Sequence, residues 1–282
     1  MRVQADLPLS ENTFGPKFDP FRLSRPGSDV VSLHHHFSLP DLRGDDLGER
    51  VYRHVPWEIR RRDDSWVYLG ILPDSEDPSL HRVAMFNRDH SAGRIFNPTD
   101  EYFRAGNLEA LTMFPTDQIW LARVLADREA CYIHSAGMIL DGQGLLFVGH
   151  SEAGKSTTVT MLRSEGEILC DDRIVVRRWP EGFRIHGTWS HGDVPVVSSA
   201  SAPLRAVLFL EQAPENRLVP VQDRREVVRQ LPFYVVRPLV TADWWQKTLD
   251  LLGALAREVP AYRLRLDKSG KVLGVLKQLV AG

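Results

Sequence analysis

The chain has 282 residues, 43% hydrophobic and 26% charged, with a formal net charge of −2. A core of ordinary size is within reach, and so small a net charge gives no global basic field for nucleic acid or an anionic membrane surface. Two cysteines, Cys131 and Cys170, make no disulfide framework and point to a reducing compartment with both thiols acting as small buried hydrophobes.

The opening stretch MRVQADLPLSEN lacks the apolar run of a signal peptide, and runs such as AVLFL are far too short to span a bilayer. The expectation is a cytoplasmic protein with no nucleic-acid and no membrane partner. Residues 1–50 are rich in Pro, Asp, Gly and His, and VVSLHHHFSL reads as a strand between loops. Three consecutive histidines on a strand alternate faces, so His34, His35 and His36 cannot all converge on one ion, and no metal is assigned there. The stretch from Trp57 to Asn87 reads as strands broken by Asp/Ser/Pro turns. Its Arg60–Arg61–Arg62 run, followed at once by Asp63 and Asp64, reads as a solvated strand end or turn. A helix is expected over 115–130, with Pro115 in its first turn and Ile119, Ala122, Val124 and Leu125 on its apolar face.

Beyond that point the texture changes. CYIHSAGMIL and GLLFVG are apolar strands joined by the turn signal DGQG. A helix running to Gly166 follows, then EILCDDRIVVRRW, a turn at PEG, and FRIHGTW. LRAVLFLEQ and NRLVPVQ are further strands. DRREVVRQL and DWWQKTLDLLGALAREV read as helices, the second closed by Pro260. YRLRLD alternates as an edge strand does, and KVLGVLKQLV is a last short helix. The chain is therefore divided into a β-rich part, 1–114, and an α/β catalytic part, 115–282.

The chemistry is concentrated in the second part. Gly149-His150-Ser151-Glu152-Ala153-Gly154-Lys155-Ser156 satisfies G-x-x-x-x-G-K-[ST], with an apolar strand entering and a helix leaving. In such a loop the backbone N–H groups and the helix N-terminus cradle phosphate, the lysine reaches the β- and γ-phosphates, and the Ser156 hydroxyl ligates Mg²⁺. Glu152 is a misfit beside a polyphosphate unless it points outward. Asp171 and Asp172 follow Lys155 by sixteen and seventeen positions, immediately after the first helix. Neighbouring residues of a strand face opposite ways, so both can serve one site only at a strand end or bulge. The strand then runs into a hairpin, which is not the doubly wound parallel order. His134, on the strand before the loop, could accept or relay a proton, or could be a satisfied structural residue.

Together, IHSAGMILDGQGLLFVGHSEAGKST and GEILCDDRIVV resemble the HPr kinase/phosphorylase catalytic domain, whose nucleotide-binding core is shared with phosphoenolpyruvate carboxykinase. HGTW (186–189) and PLRAVLFLEQ (203–212) further resemble HPr-kinase-like proteins of peptide-modification clusters, some of which phosphorylate a serine on a ribosomally made peptide. The resemblance implies an α/β, mixed-sheet P-loop kinase core behind a β-rich N-terminal domain. It implies ATP and Mg²⁺ as cofactors, with phosphates held by Gly149, His150, Ser151, Glu152, Ala153, Gly154, Lys155, Ser156 and Thr157. It makes Asp171 the general base, His134 its assistant, Asp172 the acidic neighbour of the metal, and Arg205 a basic residue near the phosphates. The Gly-rich, Arg-containing segment with which HPr kinases handle HPr is not found, so HPr is not carried over as the acceptor. The leading expectation is a kinase acting on a Ser-type hydroxyl, with a peptide or small protein favoured as acceptor and the β-rich part as a recognition surface. The resemblance also raises the expectation of a homo-oligomer. The alternatives are a nucleotide-hydrolysing switch and a non-catalytic nucleotide-binding scaffold.

Overall fold

The computed structural model describes residues 1–42, 47–71, 82–112, 117–237 and 241–282. By contacts the chain forms two compact units, Met1–Val124 and Leu125–Gly282.

The first unit is built on a seven-stranded sheet. Its strands are β1 (Arg2–Ala5), β2 (Ser32–His36), β3 (Glu49–His54), β4 (Trp57–Arg62), β5 (Ser65–Gly70), β6 (Arg82–Asn87) and β7 (Ala92–Phe96). They lie in the order β1-β2-β7-β6-β5-β4-β3. The pairs β1/β2 and β2/β7 are parallel and the rest antiparallel. Central residues Ile59, Leu69, Val83, Ala84 and Ile95 are fully buried. The Arg60–Arg62 run ends β4 as expected, and Asp63 takes a left-handed φ of 49° in the turn to β5, a conformation a short polar side chain tolerates. The turn residues expected between Pro73 and Pro78 lie outside the described residues.

Two helices follow the sheet, α1 (Glu101–Ala105) and α2 (Gln118–Ala126). The helix expected over 115–130 is thus shorter, and Pro115 lies outside the described residues. The unit boundary falls within α2, later than the division expected at 114/115. The reason is packing: Trp120 Nε1 donates to the His90 carbonyl at 3.1 Å, and the Arg123 guanidinium sits 5.7 Å from the Trp66 ring centre. These contacts tie most of the helix to the β-rich unit.

The second unit carries strands β8 (Ala130–Leu140), β9 (Gln143–Val148), β10 (Glu167–Cys170), β11 (Arg173–Trp179), β12 (Gly182–His186), β13 (Ser201–Gln212), β14 (Arg217–Pro220) and β15 (Ala261–Leu266). Its helices are α3 (Lys155–Leu162), α4 (Arg224–Gln230), α5 (Ala242–Glu258) and α6 (Val272–Ala281). The eight strands form a mixed sheet in the order β10-β8-β11-β12-β13-β15-β14, with β9 between β8 and β13. Only β9/β13 and β13/β15 are parallel, so a mixed α/β fold replaces the doubly wound order, as expected. The DGQG signal makes a two-residue hairpin turn, with Asp141 and Gly142 both at positive φ (47° and 75°), the arrangement that matches strand twist.

Helices cover both faces of this sheet. Ile133, Leu146, Val207 and Phe209 pack with Trp244, Leu251, Leu252 and Leu255 on one side. Phe147, Leu208 and Leu264 pack with Val159, Leu162, Leu276 and Leu279 on the other. β15 is an interior strand flanked by β13 and β14, which corrects the expectation of an edge. Its alternation reflects one polar face rather than a missing neighbour, because Arg263 and Arg265 pair with Glu211 on β13 at 2.7 and 3.4 Å. Among the described residues no helix is long and apolar enough to cross a membrane.

Candidate functional site

The Gly-rich loop lies where the sequence puts it, between the end of β9 at Val148 and the start of α3 at Lys155. Two glycines are required by geometry. Gly154 sits at φ +100°, a left-handed conformation that costs any other residue, and a Cβ on Gly149 would lie 2.6 Å from that of Ala153. The loop is braced by Ala153 N–H donating to the His150 carbonyl at 3.1 Å, and by the Thr158 hydroxyl donating to the Gly154 carbonyl at 2.8 Å. Lys155 folds back into the loop: Nζ donates to the carbonyls of Gly149 (2.9 Å) and His150 (3.1 Å), and the residue is 8% exposed. Burial pulls its pKa below the ordinary lysine value, and the charges of Asp172 and Asp171 oppose that shift. Glu152 is exposed at the cleft beside the loop, and its carbonyl accepts from Gln212 Nε2 at 3.0 Å. A cleft of about 490 Å³ runs beside the loop and the first turns of α3, bounded by Thr157, Met161, Leu266 and Lys268.

The aspartates are brought to this loop across one strand. β10 and β11 run consecutively antiparallel to β8, and Asp171–Asp172 occupy the break between them, next to a register shift at Ile168/Cys170. Ser135 on β8 faces Val148 of β9 on one side, and on the other its N–H donates to the Asp172 carbonyl at 3.0 Å. With strands spaced about 4.8 Å apart, the start of the loop and the acidic pair are roughly 10 Å apart across the sheet. The expected strand end and bulge are both present, and they let adjacent residues share a site.

The two carboxylates have different surroundings. Asp171 is 2% exposed, and its oxygens accept the backbone N–H groups of Gly192 (2.6 Å) and Val194 (3.0 Å). Asp172 is more open, with 18% of its side chain exposed. Its Oδ2 accepts from Arg173 Nη1 at 2.5 Å and the Ser190 hydroxyl at 3.3 Å, while Oδ1 lies 3.9 Å from His134 Nε2. Burial and then the nearby Lys155 charge hold the His134 pKa below the ordinary value; Asp172 pulls it up and Arg173 pushes it down.

Arg205 does not join this cluster. β13 runs parallel to β9, so the residue before AVLFL lies beside Gly144 at the start of β9, whereas Phe209 lies beside Val148 at the loop. Four residues of strand, about 13 Å, separate Arg205 from the end of the sheet that carries the loop. Its Nε donates instead to the Leu279 carbonyl near the end of α6, at 2.9 Å. The expected role near phosphate is corrected to a brace for that helix.

Other residues enter the site that the sequence did not single out. Tyr234 lies beside β8: its carbonyl accepts the His134 N–H at 2.7 Å, and its hydroxyl is 3.4 Å from His150 Nε2. Arg173 and Ser190 hold Asp172, and the 190–194 segment closes on Asp171. Neither Tyr234 nor this segment has a local motif, and each reaches the loop only through the sheet topology.

A comparison with curated proteins found no match. Among solved structures, the chain is similar to one titled "Structure of the Hpr(Ser) kinase/phosphatase from Coxiella burnetii". The similarity is at 10% identity and a TM-score of 0.34, over 53% of this chain and 88% of that one. A likeness this weak leaves activity to be argued from the site. A family model described as "SynChlorMet cassette protein ScmC" matches residues 106–281, which takes in the Gly-rich loop, the aspartate pair and every strand and helix of the second unit. That match spans more than half of the chain, and on it the protein belongs to the ScmC family.

Proposed function

We propose that the chain is a kinase that uses ATP and Mg²⁺ and transfers the terminal phosphoryl group to a Ser-type hydroxyl, on a peptide or small protein. One juxtaposition supports this reading: a buried lysine bonded inside a glycine-requiring loop, next to an acidic pair and a histidine delivered by the adjacent strands. The residues present fit a nucleotide polyphosphate. The loop Gly149–Thr157 offers its backbone and the N-terminus of α3, and Lys155 is already drawn into its mouth. Ser156, in the first turn of α3, would hold Mg²⁺, which supplies charge neutralisation at the phosphate oxygens.

The reading assigns the carboxylate roles by access. Asp172 is the reachable one, so it takes the proton as the acceptor oxygen forms its bond to phosphorus and the bond to the departing nucleoside diphosphate breaks. Because Arg173 already engages Oδ2 of Asp172, this reading gives the metal to Ser156 with water in place of the role expected of Asp172. Asp171 holds the 190–194 segment, which in turn places Ser190 against Asp172; an acceptor could reach Asp171 only if that segment moved away. His134, half exposed and with its pKa drawn below the ordinary value by desolvation and the Lys155 charge, stands 3.9 Å from Asp172 and is assigned to assist it. Acceptor recognition by the β-rich unit, a cytoplasmic location and a homo-oligomer remain parts of the same proposal.

The test uses Mg²⁺ and ATP labelled on the γ-phosphate, with free serine, Ser-ending peptides, HPr protein and cell extract as acceptors, and Lys155→Ala as control. Label on a hydroxyl, lost in the control, supports the kinase. Label released only as free phosphate, at a rate no acceptor changes, moves the chain to the hydrolysing switches. No turnover despite nucleotide binding makes it a scaffold.

A further inference from the structure

We infer that the β-rich unit holds a transition-metal site formed by Asp6, His34 and His36, separate from any Mg²⁺ site at the loop. Alternation along β2 sends His35 to one face, where its Nε2 bonds the Leu111 carbonyl at 2.8 Å, and sends His34 and His36 together to the other. β1 runs parallel beside β2 with Gln4 level with His34, and the ladder continues one residue further through Asp6 N–H to the His35 carbonyl at 3.0 Å. Asp6 therefore emerges on the same face as the two imidazoles, with its carboxylate between them. Oδ1 lies 2.7 Å from His34 Nε2 and Oδ2 lies 2.9 Å from His36 Nδ1. One ligand atom from each of the three residues falls within 4.8 Å of the others.

The arrangement is held from outside the triad. His36 stacks on Phe96 at 4.8 Å with rings 20° apart, and the His34 and His36 rings stand 4.6 Å apart. All three side chains are partly exposed, so an ion can enter and water can complete its coordination. Two neutral imidazoles and one carboxylate suit Zn²⁺, Co²⁺, Ni²⁺ or Cu²⁺, whereas Mg²⁺ and Ca²⁺ favour all-oxygen shells. Metal–ligand bonds of about 2.0–2.2 Å place tetrahedral ligand atoms about 3.3–3.5 Å apart, so the two His–Asp contacts have to lengthen by roughly half an ångström while the wider spacings in the triad close. Each ring keeps its proton on the nitrogen away from the ion. For His36 that is Nε2, which is buried with no hydrogen-bond partner among the described residues, so the expected affinity is weaker than that of a closed four-ligand site. The ion would fasten β1, an end strand that among the described residues pairs in the sheet with β2 alone, to its neighbour.

The test uses tag-free full chain, stripped with chelator and dialysed. Zn²⁺ is titrated by calorimetry and Co²⁺ by visible absorption. The expected result is one ion per chain, visible bands from nitrogen-ligated Co²⁺, and a thermal midpoint that rises with Zn²⁺. Affinity should fall about 100-fold or more in His34→Gln/His36→Gln, and about 10-fold in Asp6→Asn. The Asp6 variant changes an exposed group and covers the case in which the double variant fails to fold. Absence of stoichiometric binding, or binding unchanged in these variants, overturns the site. None of these readouts depends on nucleotide or on phosphoryl transfer.

Discussion

At the scale of single residues, the proposed function divides the acidic pair into a reacting group, Asp172, and a clasp, Asp171, and the two can be told apart. Asp172→Asn is expected to lower phosphoryl transfer by about 100-fold or more while nucleotide affinity stays within a few-fold, because it removes the proton acceptor and leaves the loop intact. Asp171→Asn turns one acceptor oxygen into an NH₂ that faces a backbone N–H. It is expected to destabilise the 190–194 segment by about 1–3 kcal/mol and to weaken activity through Ser190 and Asp172. Rates, nucleotide affinities and denaturant midpoints of the two variants check this; a wild-type rate in Asp172→Asn would refute the assignment. The pair was legible in the sequence because its spacing from Lys155 placed it one helix after the loop. The division of roles was not, since it depends on Gly192 and Val194, some twenty residues away, folding back over Asp171. Arg205 was misread for a related reason: a basic residue at the start of a strand has no meaning until the direction of its partner is known. The three histidines show the converse, since alternation rightly separated His35 but left His34 and His36 together, and Asp6 could not be seen beside them without the parallel pairing of β1 and β2.

At the scale of elements, the segment from Gly187 to Ala200 forms the wall of the site without being a helix or a strand. Ser198 N–H donates to the Leu169 carbonyl at 2.9 Å and Gly187 N–H to the Ala200 carbonyl at 3.2 Å, so the segment folds back on itself and lies against β10. A Cβ on Gly187 would meet the Ser198 carbonyl oxygen at 1.9 Å, and backbone on both sides leaves nothing flexible to yield. Gly187→Ala is therefore expected to cost about 1–3 kcal/mol of stability and to lower activity beyond what that loss explains, by shifting the segment off Asp171. Gly142→Ala is the comparison: it has open space around it and only a positive φ to lose, so about 1 kcal/mol and no change in rate are expected once the protein is folded. Equal activity losses in the two would mean that the segment does not govern the site. Most strands and helices of the second unit could be read from periodicity, and both hairpins from their turn residues. β15 could not, because ion pairs between strands give an interior strand the pattern of an edge.

At the scale of the whole chain, acid is expected to weaken the fold through histidines that it keeps neutral. Burial holds His35 at about 4 and His90 at about 3 in the first unit, and His186 at about 4 in the second. An unfolded chain takes up these protons near pH 6.5, whereas the folded chain refuses them until pH 4 or below. The unfolded state thus binds more protons throughout that window, and stability is full above about pH 6.5 and is lost as pH falls toward 4. Each group contributes a slope of up to about 1.4 kcal/mol per pH unit. Three of them together can remove much of the roughly 5–15 kcal/mol typical of a folded protein before the carboxylates begin to titrate. Denaturant midpoints at pH 7.5, 6 and 5 should fall in that order, whereas midpoints that stay level from pH 7 to 5 would contradict the burial argument. His90→Gln sharpens the test. It gives up the 2.8 Å contact with the Tyr68 hydroxyl and so lowers stability at pH 7.5, but it also deletes one titrating group. The variant should therefore be weaker at neutral pH and lose less on acidification, a change of slope that a packing defect alone does not produce.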